Sequence, residues 1–354
     1  MTHGPLRILS SCATWQGATD YGFLRAFRRA GHSVVNLPET DFFPAWRSPP
    51  LRLARRALRP LFVSDYGRAL VDAARALRPH LFFVYKGTSV DAATIDAIRA
   101  GGAIAVNVYP DFSFTLHGPT LPAALPHYDW IFTTKSWSLD ALARLGARNA
   151  SFLPHGFDPE THFPATLDAE EDDFYRCDAA FIGAWSPKKE ALLRGLMERA
   201  PRLDLAVWGN SWERAGPPLA RHVKGHGVIG REYAKAIGGA KIVISLLSEA
   251  QGDAVSGDVT TTRTFEIPAA GGFMLHERTA EARDFFAEDR ECAMFDGPDE
   301  LAAKVAFWLA QDAAREAIAQ AGRARSLACG YGVDERAAQA LEKVRELLAQ
   351  RAAP

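Results

Sequence analysis

Short apolar runs alternate with stretches of helical periodicity along almost the whole chain. RILSSC (7–12) leads through a polar loop into a helical pattern, FLRAFRRAG, and HSVVNL (32–37), LFFVYKG (81–87), AIAVNVYP (103–110) and DWIFTT (129–134) follow. DAAFIGAW (178–185), LDLAVWGN (203–210), AKIVISLL (240–247) and GFMLHE (272–277) then repeat the grammar. Runs this short and this apolar read as buried strands, and amphipathic segments between them read as the crossovers of parallel sheets. GPDELAAKVAFWLAQD and VDERAAQALEKVRELLAQ, rich in Ala, Glu, Arg and Leu, read as long helices. LPHGFDPETHFPATLDAEEDD, rich in proline and acid, separates the halves as a linker. The predicted fold class is α/β, with two doubly wound Rossmann-like parallel-sheet domains facing across a cleft. The expected boundaries are 1–155 and 178–332, with a linker over 156–177 and a C-terminal helix over 333–354 that packs back on the first domain. In such sheets ligands bind beyond the carboxyl ends of the strands, so the cleft is the expected site.

Bulk composition narrows the function classes. A chain of 354 residues with 48% hydrophobic and 23% charged positions can bury two cores. Its net charge of -1 offers no basic field, so nucleic acid is not an expected partner. Cys12, Cys177, Cys292 and Cys329 have no metal-like spacing and suit a reducing compartment. MTHGPLRILSSC lacks the features of a signal peptide and no run of 18 apolar residues occurs, so the expected location is the cytoplasm. LRLARRALRPLF (51–62) interleaves arginine with leucine and fits two readings. One is the solvated face of an ordinary helix; the other is peripheral contact with an anionic membrane surface, which would be the inner face.

The stretch TTTRTFEIPAAGGFMLHE (260–277) carries the densest chemistry. Read structurally, Arg263 and Glu266 are a surface pair at i,i+3 on a helix that Gly271 and Gly272 terminate. Read functionally, they are a planar guanidinium fork and a carboxylate held together to grip a ligand. Pro268 complicates the helix, since a start near Thr262 leaves the Thr264 carbonyl without a partner; a kink or a later start is expected. His222 and His226 have i,i+4 spacing, but the glycines around His226 argue for loop histidines rather than a metal site.

In the order FIGAWSPKKEALL, VWGNSW, GREYAKAIGGAKIVISLL and TTTRTFEIPAAGGFMLHE, the second half resembles the spore-maturation-protein (CgeB-like) glycosyltransferases, whose C-terminal half is similar to glycosyltransferase family 4. The resemblance spans about residues 178–340 and implies the GT-B fold. It also implies donor-binding roles: Glu266 on the ribose, with Asp258 as its companion acid eight residues earlier and shorter than the usual glutamate; Arg263 and Thr262 at the diphosphate. Gly183 would allow close backbone approach to phosphate, Lys188 and Lys189 would add positive charge there, and Val228 and Ile229 would flank the base.

Over the first half only the α/β pattern is shared. There the loop after the first strand offers Gly17 and Asp20, and YPDFSFTLHGP offers Asp111 and His117, as catalytic or acceptor-side groups; a histidine can act as base or sugar contact or simply hold structure. No Asp-x-Asp spacing occurs, so no metal is expected to replace the cationic side chains. The implied activity is a hexosyltransferase-like enzyme of class EC 2.4 that needs no cofactor or metal. It would move sugar from a nucleotide-diphosphate donor to a hydroxyl acceptor (glycan, lipid-linked, protein or small molecule), with retention of configuration. A nucleotide-sugar epimerase of the same fold, or a silent nucleotide-sugar-binding scaffold subunit, is the alternative.

Overall fold

The computed structural model describes residues 4–45, 48–225 and 227–352. The chain divides into two compact units, one of residues 1–154, 251–256 and 334–354, the other of residues 155–250 and 257–333.

In the first unit six parallel strands form one sheet: β1 (Arg7–Ser11), β2 (Ser33–Asn36), β3 (Leu81–Tyr85), β4 (Ile104–Tyr109), β5 (Trp130–Thr133) and β6 (Ala150–Phe152). Their order is β2-β1-β3-β4-β5-β6, so the winding reverses between β1 and β3. Ile8 faces Val34 on one side and Leu81 on the other, which fixes the register at that reversal. Side chains such as Leu9, Phe82, Val84 and Ala105 pack against Tyr66, Leu70, Ile95 and Ile98 from the crossover helices. The C-terminal helix Val333–Ala352 is held on this unit from Asp334 onward: Arg29 donates to Asp334, and Arg351 donates to Asp129 and to the Ala103 carbonyl.

Five strands build the second sheet: β7 (Cys177–Ile182), β8 (Leu205–Trp208), β9 (Ala240–Ser245), β10 (Met274–Glu277) and β11 (Ala293–Phe295), in the order β11-β10-β9-β7-β8. All pairs are parallel, and the winding reverses between β7 and β9. Successive residues of one strand serve two cores, Ala180 and Ile182 in one and Ala179 and Phe181 in the other, as burial on both faces of a parallel sheet requires.

Two features differ from the sequence reading. The three-residue strands β6 and β11 are absent from it, being too short to show a period. Residues 156–177, read as a linker, are packed in the second unit: Phe157 pairs with Gly332, and Ala169–Tyr175 is a helix closed by a capping box of Asp168 and Glu171. Proline and acid there serve caps and turns rather than mobility.

Candidate functional site

Helix Thr262–Ala269 begins beyond the carboxyl end of β9, beside the reversal between β7 and β9. Its start is fixed by Thr261, whose amide donates to Thr264 Oγ1 at 3.0 Å, while the Thr264 hydroxyl meets His276 Nε2 at 2.8 Å. His276 Nδ1 faces the Glu277 carbonyl at 2.6 Å, so this nitrogen carries the proton and Nε2 accepts from Thr264. Burial, helped by the nearby Arg263 charge, lowers the His276 pKa to about 4 and leaves the ring neutral. A later helix start does not occur; Pro268 instead falls in the last turn.

That anchored first turn sets Arg263. Its Nη2 donates to the Leu246 carbonyl at 2.6 Å, and its Cζ lies 5.5 Å from the centre of the Phe181 ring. Nε is buried with no hydrogen-bond partner among the described residues. Gly183, at the end of β7, lies directly against the guanidinium: a Cβ there would stand 2.9 Å from Arg263 Nη1 and 2.9 Å from the Phe181 ring. Only glycine leaves this backbone bare beside the charge.

Lys189 completes the cluster. It sits in the first turn of helix Pro187–Arg199, capped by Ser186, and is buried. Its Nζ donates to Ser248 Oγ at 3.0 Å and the Ala184 carbonyl at 3.3 Å. Burial first, and then repulsion from Arg263, lower its pKa to about 8 against the pull of Asp258 and Glu249. Two cationic side chains and a bare strand end thus converge at the sheet's winding reversal, a setting suited to a polyanion. Lys188 is differently engaged: its Nζ pairs with Glu277 Oε1 at 2.5 Å.

Glu266 lies one turn along the same helix and is buried. Tyr233 donates its hydroxyl to Oε2 at 2.8 Å, and His162 Nε2 stands 3.5 Å from Oε1. The Asp158 amide donates to His162 Nδ1 at 2.8 Å, which leaves the proton on Nε2, facing the carboxylate. Neither Tyr233 nor His162 figures in the sequence reading; both lie in stretches whose periodicity or turn residues dominate the pattern. Asp258 is tied by its amide to the Ser248 carbonyl at 2.9 Å and acts electrostatically on Lys189. Thr262 opens the helix. Val228 is a core side chain and Ile229 an exposed one, just before helix Arg231–Gly238. His222 faces the Leu205 carbonyl at 3.1 Å, and His226 lies outside the described residues.

In the first unit the carboxyl ends of β1, β3 and β4 carry the candidates. Gly17, with φ of 92°, turns the loop after β1. Asp20, in the first turn of helix Thr19–Arg29, accepts the Ala13 amide at 2.5 Å; burial raises its pKa, and the carboxylate pins this loop. Asp111 Oδ2 meets Lys86 Nζ at 2.8 Å and His117 Nε2 at 3.0 Å. Burial pushes the Asp111 carboxyl up, but His117 and Lys86 together outweigh it and bring the pKa down to about 2. The loop bearing both groups is fastened at its middle, where Ser113 donates to Asp253 of the 251–256 segment. Lys86 is the functional candidate missed in the sequence. It holds a left-handed φ of 65° ahead of Gly87 at 79°, so the Lys-Gly pair ending LFFVYKG is the signal that marks a strained strand end.

The fold defined by the two parallel sheets is GT-B, and solved structures share it over nearly the whole chain. Sucrose-phosphate synthase from Thermosynechococcus elongatus superposes with a TM-score of 0.68 at 12% identity, covering 98% of this chain and 100% of that one. A glycosyltransferase from Rickettsia africae gives 0.67 at 12% identity, covering 98% and 99%. HepE from Anabaena, solved in complex with UDP, gives 0.63 at 11% identity, covering 96% and 100%. Residues 188–342 match the family model described as Glycosyl transferase-like. No curated protein sequence matches the chain.

Proposed function

We propose that the protein is a glycosyltransferase that moves a sugar from a nucleotide-diphosphate donor to a hydroxyl acceptor. The observation that carries this reading is the Gly183, Arg263 and Lys189 cluster. Two cations, one of them buried enough to lose affinity for its own proton, flank a bare strand end, and a donor diphosphate would supply the missing countercharge. The match of residues 188–342 to a glycosyl transferase-like family supports the same reading, as does the UDP bound by a protein of the same fold.

In this reading Arg263 and Lys189 neutralise the diphosphate as it leaves, so no metal is needed. Glu266, aligned by Tyr233, faces the ribose, with Asp258 as its companion acid. In the first unit Asp111, held ionised by Lys86, orients His117 toward the acceptor hydroxyl. Reaction with retention and a cytoplasmic location belong to the same proposal. UDP is the first probe. Arg263→Lys and Glu266→Gln should each weaken its binding in a calorimetric titration by about 1 to 3 kcal/mol, the scale of a charged hydrogen bond. Lys86→Met and His117→Ala should lower turnover while leaving that affinity unchanged. Turnover should survive EDTA. Wild-type affinity in both second-unit variants would remove the donor site. A new sugar nucleotide formed from donor alone would favour an epimerase.

A further inference from the structure

Helix Pro49–Leu77 changes character along its length. From Val63 onward it is an ordinary core helix, burying Val63, Tyr66, Gly67, Leu70 and Ala74. Before Val63 it buries nothing, yet Leu51, Leu53, Leu58 and Leu61 are 45%, 71%, 38% and 61% exposed. At 100° per residue, Leu51, Leu58 and Leu61 form a stripe roughly 150° around the helix from the buried face of the second half. Leu53 lies off it. The side that continues the core-facing direction carries Arg52, Arg55, Arg56 and Arg59 instead, and no acid occurs before Asp65. Arg59 turns back to the Thr88 carbonyl at 2.8 Å, while the other three arginines are exposed. A solvated helix face accounts for the arginines but not for the leucine stripe.

We propose that this half-helix docks the protein on an anionic lipid surface, with the leucines entering the acyl boundary and the arginines meeting headgroup phosphates. A leucine stripe with arginines on the opposite side gives this half-helix the apolar and basic faces that such a surface takes up. No helix of the described residues is long and apolar enough to cross a membrane, so the contact is peripheral. The inference does not rest on the sugar-transfer reading, and its test uses neither donor nor acceptor.

The full chain is sedimented with vesicles of phosphatidylcholine alone or mixed with phosphatidylglycerol, at low and high salt. Wild type should bind the mixed vesicles preferentially and lose binding as salt rises. Replacing Arg52, Arg55 and Arg56 together with serine should weaken partition on the order of a hundredfold, from about fivefold per basic residue. Leu51→Ser with Leu58→Ser and Leu61→Ser should abolish it. All these positions are exposed, and an unchanged circular dichroism spectrum verifies folding. Equal binding to both vesicle types, or none, overturns the proposal. So does concentration-dependent self-association that the leucine variant abolishes without any vesicle binding, since the stripe would then join copies of this chain.

Discussion

Lys189 shows how burial tunes a cationic side chain. Its ammonium is worst solvated where a second cation stands nearby, and the pKa of about 8 follows from those two effects in that order. In the proposed donor site the side chain is charged and attracts a diphosphate below that pH; above it the charge is lost. UDP affinity should therefore be flat up to about pH 8 and then fall by up to about tenfold per pH unit. Lys189→Arg, which cannot titrate in this range, should flatten the profile, and calorimetric titrations on either side of pH 8 measure both. Asp111 shows the opposite outcome of the same competition. Its burial is overcome by Lys86 and His117, so the carboxylate stays ionised throughout the neutral range. Arg263 is legible in the sequence as a candidate because it sits in a dense local motif, and Gly183 only through the family resemblance. Lys86 is not, because what distinguishes it is a contact with a loop after a different strand.

Where helix Thr262–Ala269 ends, the chain must turn sharply into β10. Gly271 takes φ of 81°, its amide donating to the Pro268 carbonyl at 2.9 Å, and the Gly272 amide donates to the Ile267 carbonyl at 3.0 Å. These are the two bonds of a Schellman turn. The glycine pair thus positions the helix that carries Arg263 and Glu266, and Pro268 falls one residue before that helix ends. Gly271→Ala should cost about 1 to 2 kcal/mol, the penalty of the left-handed conformation for a residue with a side chain. Urea unfolding measures it, and a midpoint equal to wild type would contradict the turn. Continuous apolar runs made nine of the eleven strands among the described residues readable from sequence. β6 and β11 form only because a neighbouring strand offers them an edge.

For the molecule as a whole, the first unit is discontinuous in sequence. Its sheet comes from the first 154 residues, but residues 251–256 and 334–354 belong to it as well. The last helix contributes Arg351 to Asp129, which also pairs with Arg99, and places Lys343 4.5 Å from the centre of the Trp130 ring. A chain ending at Val333 should accordingly expose the first unit to proteolysis and lower its melting temperature, while UDP binding by the second unit persists. Limited proteolysis with and without UDP tests this; an unchanged cleavage pattern would mean that the helix is dispensable.

Local sequence, read by period, was enough for the α/β class, the alternation of strands and crossovers, and the dense motif at 260–277. Those features depend on neighbours within a few residues, where side-chain spacing and turn chemistry act directly. Long-range pairing decided the rest. Glu266 meets Tyr233 and His162, Lys189 meets Ser248, and Asp111 meets Lys86 only after parallel strands bring their carboxyl ends side by side. The same holds for residues 156–177, whose composition suits a linker but which pack once helix Arg231–Gly238 and the chain near Gly332 supply partners. Burial, which set the pKa values of Lys189 and Asp111, is likewise a property of the assembled fold and of no single stretch of it.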